Sequence, residues 1–352
     1  MKIKIAGRLI GDGEPCFIIA EAGVNHNGSL AIAKKLVDAA ANSGADAVKF
    51  QTFRAENLVT ESAPMAKYQE KNTGSKQKQI QMLKKLELGY GEFRDIKKHC
   101  ETRGIIFLST PHTEDAADFL EDIVPAFKIG SGDLTNIPFL EKVSKKGKPI
   151  ILSTGMGTME EIRYAVDTIS RNNKQIVLLH CTTSYPCPKK DANLNAMKTM
   201  EDEFGFPVGY SDHTEGIEIP IMAARLGAVV IEKHLTLDKK MKGSDHKSSL
   251  NPEELSEMVS AIRNKKRIGI PEYILGTGIK IPTKQELETK DIVRKSLVAA
   301  KYIPENTVIT QDMIVIKRPG TGIPPKEFGN ILGKKTKIPL RKDELISYEV
   351  LE

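Results

Sequence analysis

Short apolar runs recur along the chain, each closing on a polar cluster and most followed by a stretch whose apolar residues have helical spacing. FIIA ends in Glu21 and the turn Asn25-His26-Asn27-Gly28, DAVKF holds Lys49 and runs into Gln51, and IIFL leads into Ser109-Thr110-Pro111-His112. PAFKIG leads into Ser131-Gly132-Asp133, PIIL into Ser153-Thr154-Gly155, and IVLL into His180 through Tyr185. PVGY leads into Ser211-Asp212-His213 and VVIE into Lys233-His234. Eight such strand ends predict an α/β fold, a (β/α)8 TIM barrel whose C-terminal strand ends all open on one face. Residues far apart in sequence would then share one pocket.

The remaining pattern divides the chain. Residues 1–14 read as a capping ribbon before a first barrel strand near Phe17 to Ala20. Ser29 is placed to cap a helix through about Ser43, with Ile32, Leu36, Val37 and Ala40 inward. Later helices are expected near Glu92 to Glu101, Glu114 to Glu121, Ile137 to Lys146, Met159 to Arg171, Leu194 to Glu203, Gly216 to Gly227 and Pro252 to Arg267. The segment from Arg54 to Gly91 is a long polar insert containing YQEKNTG, and long βα loops are where barrel enzymes carry specificity. The expected domains are a barrel over 1–268, a linker over 269–290 rich in Gly and Pro, and a small β-rich domain over 291–352. In that last part SLVAA, TVI, MIVIK, KIPL and LISYEV alternate with turn residues. A domain of about 60 residues is near the lower limit of independent stability, so it is expected to pack on another surface.

Composition narrows the function classes. With 40% apolar and 28% charged residues among 352, the chain is globular, and no stretch approaches the roughly 18 unbroken apolar residues of a membrane span. The first residues are too charged for a secretory signal, so a cytoplasmic location is expected. Cys16, Cys100, Cys181 and Cys187 form no CxxC pair and read as reduced, structural thiols. The net charge of +6 is mild and comes without a basic run interleaved with aromatics, which argues against nucleic acid.

Three groups on the open face can act together. His213 and His234 follow neighbouring strands, so their imidazoles can converge on one divalent ion with open positions, or each can simply hydrogen-bond in the barrel mouth. Lys49, Lys128, Thr110, Ser131, Ser153 and Ser211 sit at strand ends where cations and hydroxyls can hold phosphate or carboxylate, although any single Ser or Thr there can instead cap a helix. Glu21 can orient water or a metal ligand.

In order along the chain, IAEAGVNHNG, AVKFQTF, YQEKNTG, KIGSGD, LSTGM, HCTTSYP, GYSDHT, EKHLTLD, RKSLVAA and IKRPGTG resemble the sialic acid synthase family over essentially the whole length. The resemblance implies a barrel followed by a small antifreeze-like (SAF) domain, in a domain-swapped homodimer. It implies condensation of phosphoenolpyruvate with an N-acetylated hexosamine to a nine-carbon 2-keto acid and phosphate. It also implies that His213 and His234 bind a divalent metal, manganese by preference with magnesium or cobalt as alternatives. Lys49, Thr110, Lys128, Ser131, Ser153 and Ser211 match phosphoenolpyruvate positions, and Glu21 matches the acidic residue near the metal. Gln51, Asn72, Tyr185 and Asp245 match positions around the sugar, and Arg318 matches an arginine that reaches the partner's site toward the N-acetyl group.

Thr183 and Ser244 depart from residues common in the family, and KFQTF argues against its pseudaminic acid branch. The expected reaction uses N-acetylmannosamine to make N-acetylneuraminate, with a 2,4-diacetamido-2,4,6-trideoxymannose, as in legionaminate synthesis, as the alternative. The rival readings are a Schiff-base lyase using Lys128, a barrel phosphohydrolase, and a catalytically silent sugar-binding protein.

Overall fold

The computed structural model describes residues 1–266 and 268–352. An antiparallel hairpin, β1 (Lys2–Ile5) and β2 (Arg8–Gly11), precedes eight parallel strands. These are β3 (Phe17–Gly23), β4 (Ala47–Thr52), β5 (Ile106–Pro111), β6 (Phe127–Ile129), β7 (Ile150–Ser153), β8 (Ile176–Cys181), β9 (Val208–Asp212) and β10 (Val230–His234). They hydrogen-bond in the order β5-β4-β3-β10-β9-β8-β7-β6. The outermost two, β5 and β6, lie side by side and bring the sheet almost to closure. This is the expected (β/α)8 barrel, with every expected strand end in place.

Two-residue alternation decides what each strand shows to the interior. Phe17, Ile19, Ala47, Leu108, Ala126, Ile151, Val177, Leu179 and Val230 fill the barrel, and Ile3, Ile5 and Ile10 of the hairpin join them. The intervening Ile18, Val48, Phe107, Phe127, Leu152, Leu178, Tyr210 and Ile231 pack under the helices. Following the interior parity upward leads to Glu21, Lys49, Gln51, Thr110, Lys128, Ser153, Ser211, Glu232 and His234, so the apolar plug below and the polar set above belong to one face of each strand.

The helices agree with expectation to within a few residues, except at one end. Leu30–Asn42 starts at Ser29, whose hydroxyl accepts from the Ile32 N–H, and buries Leu36, Val37 and Ala40, with Ile32 partly exposed. The helix from Pro252 closes at Arg263, and Arg267, its expected end, lies outside the described residues. Among the described residues no helix is long and apolar enough to cross a membrane.

Two segments hold more order than their composition suggests. The polar insert contains the short helices Ala55–Leu58, Lys67–Thr73 and Gln79–Lys84 around its own apolar cluster of Leu58, Val59, Met65, Met82 and Leu83. The expected linker carries helices Glu272–Leu275 and Lys284–Val293, the second started by Thr283, whose hydroxyl accepts from the Glu286 N–H while the Glu286 carboxylate accepts from the Thr283 N–H. Periodicity missed this helix because it buries Glu286 as well as apolar Val293.

The C-terminal part pairs β11 (Ser296–Ala299) with β12 (Ile314–Lys317) and closes on Leu297, Ile303, Ile309, Ile331 and Ile346. As its size requires, it is docked: the Arg318 N–H donates to Leu58 O at 2.9 Å and Arg318 O accepts from the Thr60 N–H at 3.0 Å, joining it to the insert of the same chain.

On the outer face of the barrel, Lys233 of β10 is wholly buried and donates to Asp212 of β9 and to the Thr214 carbonyl, directly behind the two histidine-bearing strand ends. Replacing one member strands the other's charge. Lys233→Met is expected to destabilise the barrel by about 3–5 kcal/mol, more than Lys233→Met with Asp212→Asn, as read by urea unfolding.

Candidate active site

A cavity of about 150 Å³ opens at the C-terminal ends of the barrel strands. Four buried charges form its floor. Lys49 Nζ lies 2.9 Å from Glu21 Oε2 and 3.6 Å from Glu232 Oε2, and donates to Thr110 Oγ1 at 3.1 Å. Lys128 Nζ lies 3.4 Å from Glu232 Oε1 and donates to Ser153 Oγ at 2.7 Å, while Ser211 donates to the same Glu232 oxygen at 3.0 Å. Two carboxylates and two ammonium groups thus balance where neither sign could be buried alone.

The balance is uneven. Burial raises the Glu21 carboxyl, only partly countered by Lys49. Burial also opposes ionisation of Glu232, but Lys128 and Lys49 hold it down at about 2. Burial lowers the Lys128 ammonium despite Glu232. Two acids with environments pulling their proton affinities apart suit a division into one fixed charge and one proton-handling group.

On one side the loop after β7 approaches so closely that a Cβ on Gly155 would stand 2.0 Å from Thr183 Oγ1 and 2.8 Å from Ser131 Oγ. Only glycine fits, and its N–H donates to Ser131 Oγ at 2.9 Å. Together with Lys128 and Ser153 this wall is rich in donors, as an anion site requires.

On the other side the His213 and His234 rings lie 5.5 Å apart, with Tyr185 against both at 4.2 and 5.9 Å and Tyr68 stacked on Tyr185 at 4.8 Å. His213 Nδ1 is 2.9 Å from the Thr182 carbonyl, to which it donates, leaving Nε2 with a free lone pair. His234 Nδ1 is buried without a hydrogen-bond partner. No third His, Cys, Asp or Glu joins them as a ligand group among the described residues. Two imidazoles without a third such side chain fit an ion that keeps open positions for small oxygen ligands, rather than a closed structural site.

Thirteen of the fourteen residues singled out from sequence line the cavity: Glu21, Lys49, Gln51, Thr110, Lys128, Ser131, Ser153, Tyr185, Ser211, His213, His234, Asp245 and Arg318. Asn72 does not. Its side-chain amide donates to the Ser244 carbonyl at 2.6 Å, so it braces the loop that presents Asp245. Arg318 enters the cavity of its own chain.

Models of known families match the chain in two parts, a NeuB family model over residues 36–270 and a SAF domain model over residues 294–352. The chain belongs to the NeuB family. An N,N'-diacetyllegionaminic acid synthase of Campylobacter jejuni is 46% identical over 94% of this chain and 98% of its own length. Human N-acetylneuraminate-9-phosphate synthase is 38% identical over 98% of this chain and 95% of its own. The crystal structure of spore coat polysaccharide biosynthesis protein SpsE from Bacillus subtilis has a TM-score of 0.85 and 32% identity, covering 100% of this chain and 99% of that one.

Several residues of this NeuB-family site escaped the sequence reading. Glu232 is the most central, and its signal was available: it stands two residues before His234 on one strand, hence on the same face. His112, Tyr68 and Cys181 also line the cavity. Cys181 had been grouped with the structural thiols, yet its sulfur lies 3.7 Å from His213 Nδ1. Glu286, from the supposed linker, accepts from the Met156 N–H at 2.8 Å and the Thr183 N–H at 2.9 Å, clamping the loops after β7 and β8.

Glu232 supports the charge on Lys128, so Glu232→Gln is expected to lower the Lys128 pKa by about 1–3 units. The measurable consequence is faster modification of Lys128 by an amine-directed reagent at pH 8, read by peptide mass spectrometry. An unchanged rate would contradict the pairing.

Proposed function

We propose that this chain joins phosphoenolpyruvate to the open-chain aldehyde of an N-acetylated hexosamine, making a 2-keto sugar acid and inorganic phosphate. The observation that carries the reading is the buried Glu21–Lys49–Glu232–Lys128 cluster beneath two histidines on adjacent strands. Phosphoenolpyruvate brings a phosphate and a carboxylate, and Lys49 and Lys128 with Ser131, Ser153, Thr110 and Ser211 form a matching set of donors. A divalent cation held by His213 and His234, manganese by expectation, would supply Lewis acidity toward the sugar carbonyl.

The carbon–carbon bond forms from C3 of the enol phosphate to the aldehyde carbon as the C=O π bond opens to an alkoxide, leaving positive character at C2; the alkoxide becomes the sugar hydroxyl with the proton that Glu21 takes from water in the next step. Water adds at C2, its proton passing to Glu21, whose burial gives it the proton affinity for that role. The tetrahedral centre collapses to the ketone as the C2–O bond to the phosphate breaks, the C2 hydroxyl proton leaving with the released phosphate. Glu232 stays ionised and holds both lysines in place. Tyr185, Asp245 and Arg318 form the wall available to the sugar, and Arg318 Nε, buried and without a partner, is free to donate to it.

The first reading for the sugar is N-acetylmannosamine. The second, 2,4-diacetamido-2,4,6-trideoxymannose, is favoured by the 46% identity with the Campylobacter jejuni legionaminic acid synthase against 38% with the human N-acetylneuraminate-9-phosphate synthase. Phosphate and 2-keto acid release from phosphoenolpyruvate with each sugar, with manganese and with chelator, tests the reading. Turnover is expected only with sugar and metal; phosphate release without sugar would indicate a phosphohydrolase, and no turnover would return the silent binder. His213→Ala and His234→Ala are each expected to remove metal-dependent turnover with the fold retained by circular dichroism.

A homodimer with exchanged small domains belongs to the same proposal, the contacts that Arg318 makes within one chain then being made to the insert and cavity of the partner. Tyr273, Ile279, Ile281 and Leu287, all more than half exposed, crowd the segment joining the domains and offer a face for a second copy. Mixing inactive His213→Ala chains with Arg318→Ala chains weakened toward the sugar, under exchange conditions, is expected to raise activity above that of either alone, because one site of the hybrid dimer receives both intact parts. Failure to raise activity in verified hybrids would contradict the exchange.

A further inference from the structure

We propose that His112 is a positioning residue that fixes the Gln51 amide, and through it Glu21, and that the small domain sets His112 by way of Lys295 and Asp133. The inference rests on the reading of Glu21 as the proton-handling group.

The hydrogen-bond directions are forced from one end. Gln51 Nε2 donates to Glu21 Oε1 at 3.0 Å while Lys49 Nζ lies 2.9 Å from Oε2, so both carboxyl oxygens face donors and the amide nitrogen faces Glu21. The amide oxygen then faces His112 Nε2 at 3.2 Å, which must carry the proton. His112 Nδ1 is left unprotonated and without a hydrogen-bond partner, 3.8 Å from Asp133 Oδ2. The ring is held on its perch by the His112 N–H to Thr52 O bond of 3.1 Å and by edge contact with Phe53 at 6.1 Å.

An unprotonated nitrogen facing a carboxylate is stable only if that carboxylate is already satisfied. Asp133 is: Lys295 Nζ lies 2.7 Å from its Oδ1, which also accepts from Asn136 at 2.9 Å. Lys295 stands one residue before β11, at the opening of the small domain, and donates as well to the His112 carbonyl. A second close approach fixes the same seat, since a Cβ on Gly132 would stand 2.9 Å from the Val293 carbonyl. Seating the small domain therefore does two things inside the barrel mouth. It neutralises Asp133, and it keeps His112 an uncharged donor toward Gln51. Burial and the charge of Arg318, the other small-domain cation facing His112, also oppose its protonation; lifting Lys295 away shifts the balance toward Asp133 drawing a proton onto His112 Nδ1, one amide away from Glu21.

Two measurements test this. In steady-state turnover, His112→Phe fills the site without a donor and is expected to lower kcat about 5–10-fold, with the KM for phosphoenolpyruvate within about 2-fold. His112→Gln, whose amide N–H can replace the Nε2 donor, is expected to recover most of that loss. An unchanged kcat in His112→Phe, or equal losses in both variants, would overturn the proposal. Nitrogen-15 spectra of the histidine-labelled full-length protein test it without turnover. The expected form of His112 is the neutral Nε2–H tautomer, titrating near 4, where burial places it. Lys295→Met is expected to raise that midpoint by about 1–3 units. An Nδ1–H tautomer in the wild type, or a midpoint unmoved by Lys295→Met, would overturn the proposal. A wild type inactive with both sugars would sink the proposed reaction, while the spectra would still decide the role of His112.

Discussion

Burial of charge at the barrel mouth is the constraint on which the rest of the structure depends. Glu21, Lys49, Lys128 and Glu232 are each at most 5% exposed, and none could sit there without its opposites. Removing one carboxylate would leave two ammonium groups facing one acid, and removing one lysine would leave two acids competing for the other. The four strands that carry them must therefore hold register, and the apolar plug beneath them on the same interior parity supplies the rigidity to do so. The cluster is also the chemical asset of the site. Its lysines are buried against the carboxylates with their donors already in place, the arrangement that electrostatic preorganisation toward an anion requires.

The eight strand ends were legible because each ends an apolar run with chemistry-bearing residues, and the barrel makes that pattern converge. Glu232 was legible in principle by its spacing from His234 and was passed over because it read as the tail of VVIE. The helix Lys284–Val293 was not legible by period, because part of what it buries is the Glu286 carboxylate, whose partners are the Met156 and Thr183 N–H groups more than 100 positions away. The apolar centre of the insert was hidden in the same way, its Leu58, Met65 and Met82 scattered among charged residues with no sustained spacing. Asn72 was expected around the sugar, but it stands behind the cavity wall, a difference that depends on where the Ser244 carbonyl falls.

The small domain is more than a lid. It enters the cavity with Arg318, joins the insert through the Leu58 and Thr60 backbone, and reaches the loop after β6 through Lys295 and Asp133. Arg294 adds paired contacts to Glu161 and donates to the Met156 carbonyl, next to the glycine loop that lines the anion side. A domain of this size gains its stability partly from such docking. The same contacts give it influence over the geometry of the barrel loops, so the two walls of the cavity answer to one seating event.

The central claim is that the charge cluster promotes attack at carbon with departure of phosphate through the C2–O bond. Turnover of phosphoenolpyruvate labelled with oxygen-18 in the bridging position tests it most directly. The account predicts that the label leaves entirely in inorganic phosphate and that the keto oxygen of the product comes from water. Label retained in the product would mean cleavage at phosphorus, and would contradict the assignment of Glu21 and the two lysines to chemistry at C2.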